Sequence, residues 1–225
     1  KGTPLANPSS GTIESVKESQ LQDIKSFIQN NLISSKLIVI LGGDVDIEAV
    51  KEKIKIIVST LDKGSAEEVT HYEVVQNAQD SILQKETEQA YVYFGSPYNM
   101  KANDEEYYKA RVATYILGAG GFGSRLMEEI RVKRGLAYSA YASIKVTKSS
   151  SSMTGYLQTK LESMQEAKAT VKEVIEKFVK KGVTQEELEQ TKKFLLGSEP
   201  LRVETMNQRL SRTFMEYYKG QELGH

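Results

Sequence analysis

The chain has no cysteine and only two histidines among its 225 residues. Without cysteine there is no disulfide, no thiolate metal site and no cysteine nucleophile. His71 lies in a polar connector, and His225 is the last residue, a place where an expression tag would put one. A dedicated zinc site needs His, Cys or carboxylate ligands at close spacing, and the chain has no close histidine pair. A Ser-His-Asp triad would have to recruit His71, which nothing around it supports. Net charge is absent as well: 30 Lys and Arg balance 30 Asp and Glu. No long-range field therefore favours nucleic acid or an anionic membrane. The longest apolar run, Leu37 to Leu41, is far shorter than the roughly 20 residues that span a bilayer. No apolar core follows Lys1-Gly2-Thr3-Pro4, so this stretch is not a signal peptide. A start at Lys1 instead of Met leads to the expectation of a fragment. The compartment is left open, with bacterial cytoplasm or periplasm expected.

What is present is a globular composition, with 39% hydrophobic residues and only 4 prolines. Lys1 to Ser15 is turn-rich. Ser19, with Gln22 three residues on, matches a capping box, and Leu21, Ile24, Phe27, Ile28 and Leu32 then share one helical face. Lys36 to Leu41 has no polar alternation and predicts a strand buried on both faces. Asp44 or Asp46 caps a helix striped by Val50, Ile54, Ile57, Val58 and Leu61. Residues 62–71 are polar and patternless, a linker. His71 to Gln76 is a candidate strand. Lys85 to Gly95 alternates, with Ala90, Val92 and Phe94 opposite Gln89, Tyr91 and Tyr93. Asp104 opens a helix with Tyr108, Val112, Tyr115 and Ile116 inward. Strands over 139–147 and 153–159 flank a serine-rich tip. A long helix over 162–180 ends at Gly182, the usual place for a left-handed cap. Thr184 and Glu187 form a capping box for the next helix. Pro200 breaks that helix, and Val203, Met206, Leu210 and Phe214 stripe a last one. Grouped strands and grouped helices predict an α+β fold, with helices packed on one face of a mostly antiparallel sheet.

The chemistry concentrates in Gly118 to Tyr141. Gly118, Gly120 and Gly123, with Gly121 and Phe122 between, satisfy a G-x-G-x-x-G pattern. A dinucleotide loop needs a strand before it, and here a helix precedes it. A tight turn that needs glycine and a substrate-contacting loop both remain open. Arg131 and Tyr138 stand seven residues apart across Gly135. Such residues are ordinarily a solvated arginine and a packed tyrosine. Placed at a helix end and on the following strand, they can also converge on one carbonyl oxygen, both donating hydrogen bonds to a developing oxyanion.

At these residues the stretch GGFGSRLMEEIRVKRGLAYSAY resembles the signature of the pitrilysin, insulinase and mitochondrial processing peptidase family. GTIESVKESQLQDIKSFIQNN, KLIVILGGDVDIEAV and GVTQEELEQTKKFLLGS resemble further family segments, so the likeness extends over residues 11–198. It implies a zinc-dependent endopeptidase system of two homologous α+β halves closing around a chamber. One half carries an inverted His-x-x-Glu-His zinc motif. The other carries no metal and contributes an arginine and a tyrosine, roles that fall on Arg131 and Tyr138. The glycine loop, Gly118, Gly120, Gly121, Phe122 and Gly123, falls on a segment linked to substrate engagement.

The chain departs from the family pattern in lacking His-x-x-Glu-His. No cofactor is expected in this chain; zinc is expected in a partner half. The expected partners are a metal-bearing N-terminal half or paired subunit and a peptide substrate, with no nucleic acid and no membrane. Alone, the chain is expected to be inactive. Residues 1–61 resemble the tail of a preceding half, and residues 72–225 the body of the metal-free half. The tail is expected either to complete the main sheet, as in a circular permutation, or to pair with another copy in a swapped homodimer. The alternative function is a non-catalytic subunit or assembly module that pairs with an active peptidase subunit.

Overall fold

A computed structural model describes residues 3–74 and 76–224. The chain divides into two compact units, Lys1–Val69 with Met206–Phe214, and Thr70–Thr205 with Met215–His225.

The first unit is helical. Helix α1 (Ile13–Glu18) stands in the region read as turns. Thr12 caps it: its Oγ1 accepts from the Ser15 amide at 3.1 Å, and Ser15 Oγ accepts from the Thr12 amide at 2.8 Å. The sequence predicts a Ser19 cap for helix α2 (Leu21–Asn31), but the helix starts after Gln20 and Ser19 does not cap it. The Gln20 amide donates instead to the Asp23 carboxylate at 2.8 Å, while the Ser19 hydroxyl donates back to the Ser15 carbonyl. A charged acceptor makes the stronger bond, and it wins the cap. Leu21, Ile24, Phe27 and Ile28 remain exposed along α2. Asp46 caps helix α3 (Ile47–Ser59), accepting from the Ala49 amide at 3.1 Å.

The stretch read as a buried strand over 36–41 forms none. A single 3-10 turn covers Ser34–Lys36, and Leu37 to Leu41 has no ladder partner among the described residues. An apolar extended run becomes a strand only when a sheet edge takes its amides and carbonyls. Where the chain does close, it closes on glycine. Gly64, at φ +56°, lies so near Ile33 that a Cβ would fall 2.4 Å from the Ile33 Cδ1.

The second unit is an antiparallel sheet with helices against one face, in keeping with the α+β expectation. Strands β1 (Gln89–Pro97), β2 (Ala137–Val146) and β3 (Ser151–Lys160) lie in the order β1-β3-β2. The candidate strand at 71–76 is not one, although Val75 lies outside the described residues; the Tyr72 amide donates to the Ser149 carbonyl at 2.7 Å. Strand alternation sends Ala90, Ala140, Ala142 and Leu157 inward, with Val92 and Phe94 packed against them. Helix α6 (Met164–Lys181) covers this face with Ala167, Val171 and Val174. Gly155 leaves room for the Phe94 ring, whose Cζ would sit 2.2 Å from a Cβ at that position. Gly182, at φ +68°, caps α6, and the Thr184–Glu187 box opens helix α7 (Gln185–Ser198). Helix α8 (Met206–Lys219) is divided between the units, Met206–Phe214 in the first and the rest in the second.

The helix expected from Asp104 begins at Tyr107 and has two parts. Helix α4 (Tyr107–Thr114) runs into a wider π-helical turn over Tyr115–Ala119. Ala110 and Thr114 are buried along α4, whereas Tyr108, expected inward, is exposed. Helix α5 (Arg125–Met127) likewise continues as a π-helical turn over Glu128–Val132. Such turns are frequent at functional sites, and these two bracket the glycine loop.

Candidate functional site

The glycine loop has two parts with different duties. Gly118 is buried against β2, where a Cβ would meet the Ala142 amide nitrogen at 2.6 Å. Gly120 faces the Tyr115 ring and carbonyl at 2.8 Å. Both glycines permit close approach. Gly121, at φ +61°, and Gly123 have open space where a side chain would stand. Between them Phe122 is presented outward, 64% exposed. Buried Ser124 fixes the loop's end, its hydroxyl donating to the Gly121 carbonyl at 2.7 Å.

Arg131 lies in the turn after α5. Gly135, at φ +62°, reverses the chain, and the Leu136 amide donates to the Ile130 carbonyl at 2.8 Å. The chain then enters β2 through a bulge. Ala137 pairs with Thr159 and Ala140 with Leu157, so three steps on β2 oppose two on β3. The extra residue falls at Tyr138–Ser139. Bulges of this kind re-aim side chains beside active sites. The Ala140 amide finds the Met127 sulfur at 3.3 Å, and Thr159 Oγ1 donates to the Leu136 carbonyl at 2.6 Å, pinning both ends. Tyr138 emerges 80% exposed.

These pieces meet. The Arg131 guanidinium carbon lies 4.3 Å from the Tyr138 ring centroid and 4.5 Å from that of Phe122. A cation between two aromatic faces is attracted by both ring quadrupoles and held in place. Among the described residues Arg131 has no carboxylate partner. Its neighbours do. Arg134 turns to α6, donating to Thr170 Oγ1 at 2.6 Å and to Glu173 at 3.2 Å. Arg125 makes a fork to Glu187 at 2.6 and 2.7 Å. The motif thus holds three arginines, two tied into the fold and one left with donors to offer. Tyr138 and Ser139 also border an open cleft of about 580 Å³ with Gln158 and Lys160. Arg131 does not line it.

Residues 19–195 match the family model described as the peptidase M16 inactive domain. The chain belongs to this family. It is 44% identical to the "Non-peptidase homolog YmxG" of Helicobacter pylori over 97% of this chain and 50% of that protein. It is 27% identical to the "Uncharacterized zinc protease YmxG" of Bacillus subtilis, over 92% of this chain and 50% of the relative. The chain spans about half the length of these curated relatives. A crystal structure of the peptidase M16 inactive domain from Pseudomonas fluorescens superposes with a TM-score of 0.84 at 25% identity, covering 99% of this chain and 53% of the other. The metal-free M16 half is the sequence resemblance drawn above.

Among the described residues no group of three or more His, Cys, Asp and Glu stands together. His71 Nδ1 lies 3.0 Å from the Lys148 carbonyl. No described helix is long and apolar enough to cross a membrane.

Sequence reasoning paired Arg131 with Tyr138 and named Phe122 only as part of the loop. The clamp of Phe122 on Arg131 and the bulge under Tyr138 were missed. A phenylalanine between glycines was the available signal, since an apolar ring there has no core to enter.

Proposed function

We propose that this chain is the substrate-holding, metal-free part of a zinc-dependent endopeptidase of the M16 type, contributing Arg131, Tyr138 and the Gly118–Gly123 loop to the active-site chamber. The observation that carries the reading is the Arg131 guanidinium, fixed between Phe122 and Tyr138 with no acidic partner among the described residues. Such a group is preorganised for an oxygen that gains negative charge. Arg131 and the Tyr138 phenol donate hydrogen bonds to the scissile carbonyl as it becomes tetrahedral. Gly121 and Gly123 leave room for the peptide backbone to approach. Zinc in the other half supplies polarisation of the attacking water.

In this reading the partners are a metal-bearing half, on the same chain or on a paired subunit, and a peptide. Residues 1–61 are the tail of a preceding homologous half, and the 37–41 stretch, without a ladder partner among the described residues, seeks a sheet edge on that half or in a second copy of this chain. The test is turnover by the assembled enzyme. Arg131→Ala and Tyr138→Phe each lower kcat by about a hundredfold or more, the usual effect of losing one oxyanion donor. Normal kcat in both variants refutes the assignment.

The second reading is a non-catalytic assembly subunit. It is favoured by the name of the Helicobacter relative, a non-peptidase homolog at 44% identity. A His-x-x-Glu-His motif in the rest of the protein or in a co-purifying subunit separates the two.

A further inference from the structure

The inner face of the sheet is filled by its helices, and the outer face of the same strands carries tyrosines in register. Tyr93 on β1 pairs with Tyr156 on β3, and Tyr156 pairs with Tyr141 on β2, so one row of rings crosses all three strands. Ring centroids are 6.2 Å apart for Tyr93 and Tyr156 and 6.3 Å for Tyr141 and Tyr156. The rings are 75%, 47% and 41% exposed for Tyr93, Tyr156 and Tyr141. A solvated sheet face is ordinarily polar. Amphipathic rings in register, apolar in body and polar at the tip, mark surfaces that bind.

The row is continuous with the candidate site. One step along the strands, Tyr91 pairs with Gln158, and Gln158 borders the cleft that Tyr138 and Lys160 also line. The electrostatics are one-sided. None of β1, β2 and β3 contains an Asp or Glu, while Lys145 and Lys160 stand on β2 and β3. Lys160 has Glu162 at 3.8 Å, both side chains largely exposed, and Glu166 reaches the cleft's lining. Lys145 and Arg131 have no carboxylate partner among the described residues.

We propose that this face is a docking track for an extended peptide that carries aromatic or aliphatic side chains at its centre and acidic ones toward its two ends. The apolar side chains lie across the Tyr93–Tyr156–Tyr141 row, and the carboxylates meet Lys145 and Lys160, which stand four residues from the row on opposite sides of it. The proposal rests on the peptide-holding role given to the chain and names the class of peptide.

The test is fluorescence anisotropy of the 225-residue chain with labelled peptides of about ten residues, long enough at roughly 3.3 Å per residue to follow the strands. One peptide carries Phe at its centre and Asp toward both ends; the other has Lys in place of Asp. The expected result is tighter binding of the acidic peptide, weakened about fivefold by Tyr156→Ala and by Tyr93→Ala and retained in Tyr156→Phe, which keeps the ring. Circular dichroism melts show that each variant is folded. Equal or tighter binding of the basic peptide overturns the proposal, as does unchanged affinity in folded Tyr156→Ala. Turnover of Arg131→Ala in the assembled enzyme is read separately. If it falls while the tyrosine variants bind normally, the track is wrong and the Arg131 role stands.

Discussion

Arg125 and Glu187, 62 residues apart, form a two-bonded ion pair that joins the segment after the glycine loop to the start of α7. The same carboxylate accepts from the Thr184 amide at 2.7 Å, and the guanidinium also donates to the Gly182 carbonyl at 2.8 Å and packs on Phe178. Glu187 is thus a helix cap and the anchor of the segment between the glycine loop and Arg131 together. Replacing it by Ala leaves Arg125 half-buried without its partner and α7 without its box. A loss of about 2 kcal/mol is expected, which lowers Tm by about 4–8 °C in a domain of this size. Thermal unfolding followed by circular dichroism measures it.

The same pair sets an acid limit. The Arg125 hydrogen bonds, with those from Thr184, hold the Glu187 carboxyl down from 4.5 to about 2. A carboxyl held below its unfolded value contributes its stability above pH 4.5 and loses it as pH falls toward 2. Urea unfolding of the wild-type chain should show stability falling across that window. The fall should be smaller in Glu187→Gln; an identical acid profile in the two chains would contradict the pair's role.

The two ends of the glycine loop should respond oppositely to a methyl group. Gly118→Ala drives a Cβ to 2.6 Å from the Ala142 amide nitrogen, and overpacking of that kind costs about 1–3 kcal/mol. Gly123→Ala meets open space and should leave unfolding unchanged while impairing turnover in the assembled enzyme. Denaturant midpoints and kcat/KM on the two variants decide it.

Phe122→Ala removes one of the two faces that hold Arg131. An exposed cation–aromatic contact is worth roughly 0.5–1 kcal/mol, so kcat/KM of the assembled enzyme should drop about threefold with Tm unchanged. Phe122→Tyr keeps the face and should keep activity.

The exposed 37–41 stretch should be adhesive. Val39→Lys puts a charge on a segment that has no ladder partner among the described residues, a device that blocks edge pairing. Sedimentation of the wild-type chain against Val39→Lys should show less self-association in the variant.

The sequence by itself determined the elements whose signal is local. Alternation over Gln89 to Phe94 identified β1, and the Thr184–Glu187 and Gly182 patterns placed the ends of α6 and α7, because capping and pleat involve residues a few positions apart. The length and order of the central motif also carried the family, and with it the pairing of Arg131 with Tyr138. Local signals failed where a competing group settled the outcome. Asp23 took the α2 cap from Ser19, and the apolar 36–41 run could not become a strand without an edge to join.

Tertiary structure alone decided which arginine is available. Arg125, Arg131 and Arg134 look alike in the sequence, yet Glu187 and Glu173 lie far along the chain and occupy two of them. Only folding brings Phe122 and Tyr138 to the third. The bulge at Tyr138–Ser139 is likewise a matter of register against β3, and the tyrosine row exists only once three separate strands are laid side by side. Charge pairing, ring stacking and strand register act between residues distant in sequence, so they become legible only when the chain has closed on itself.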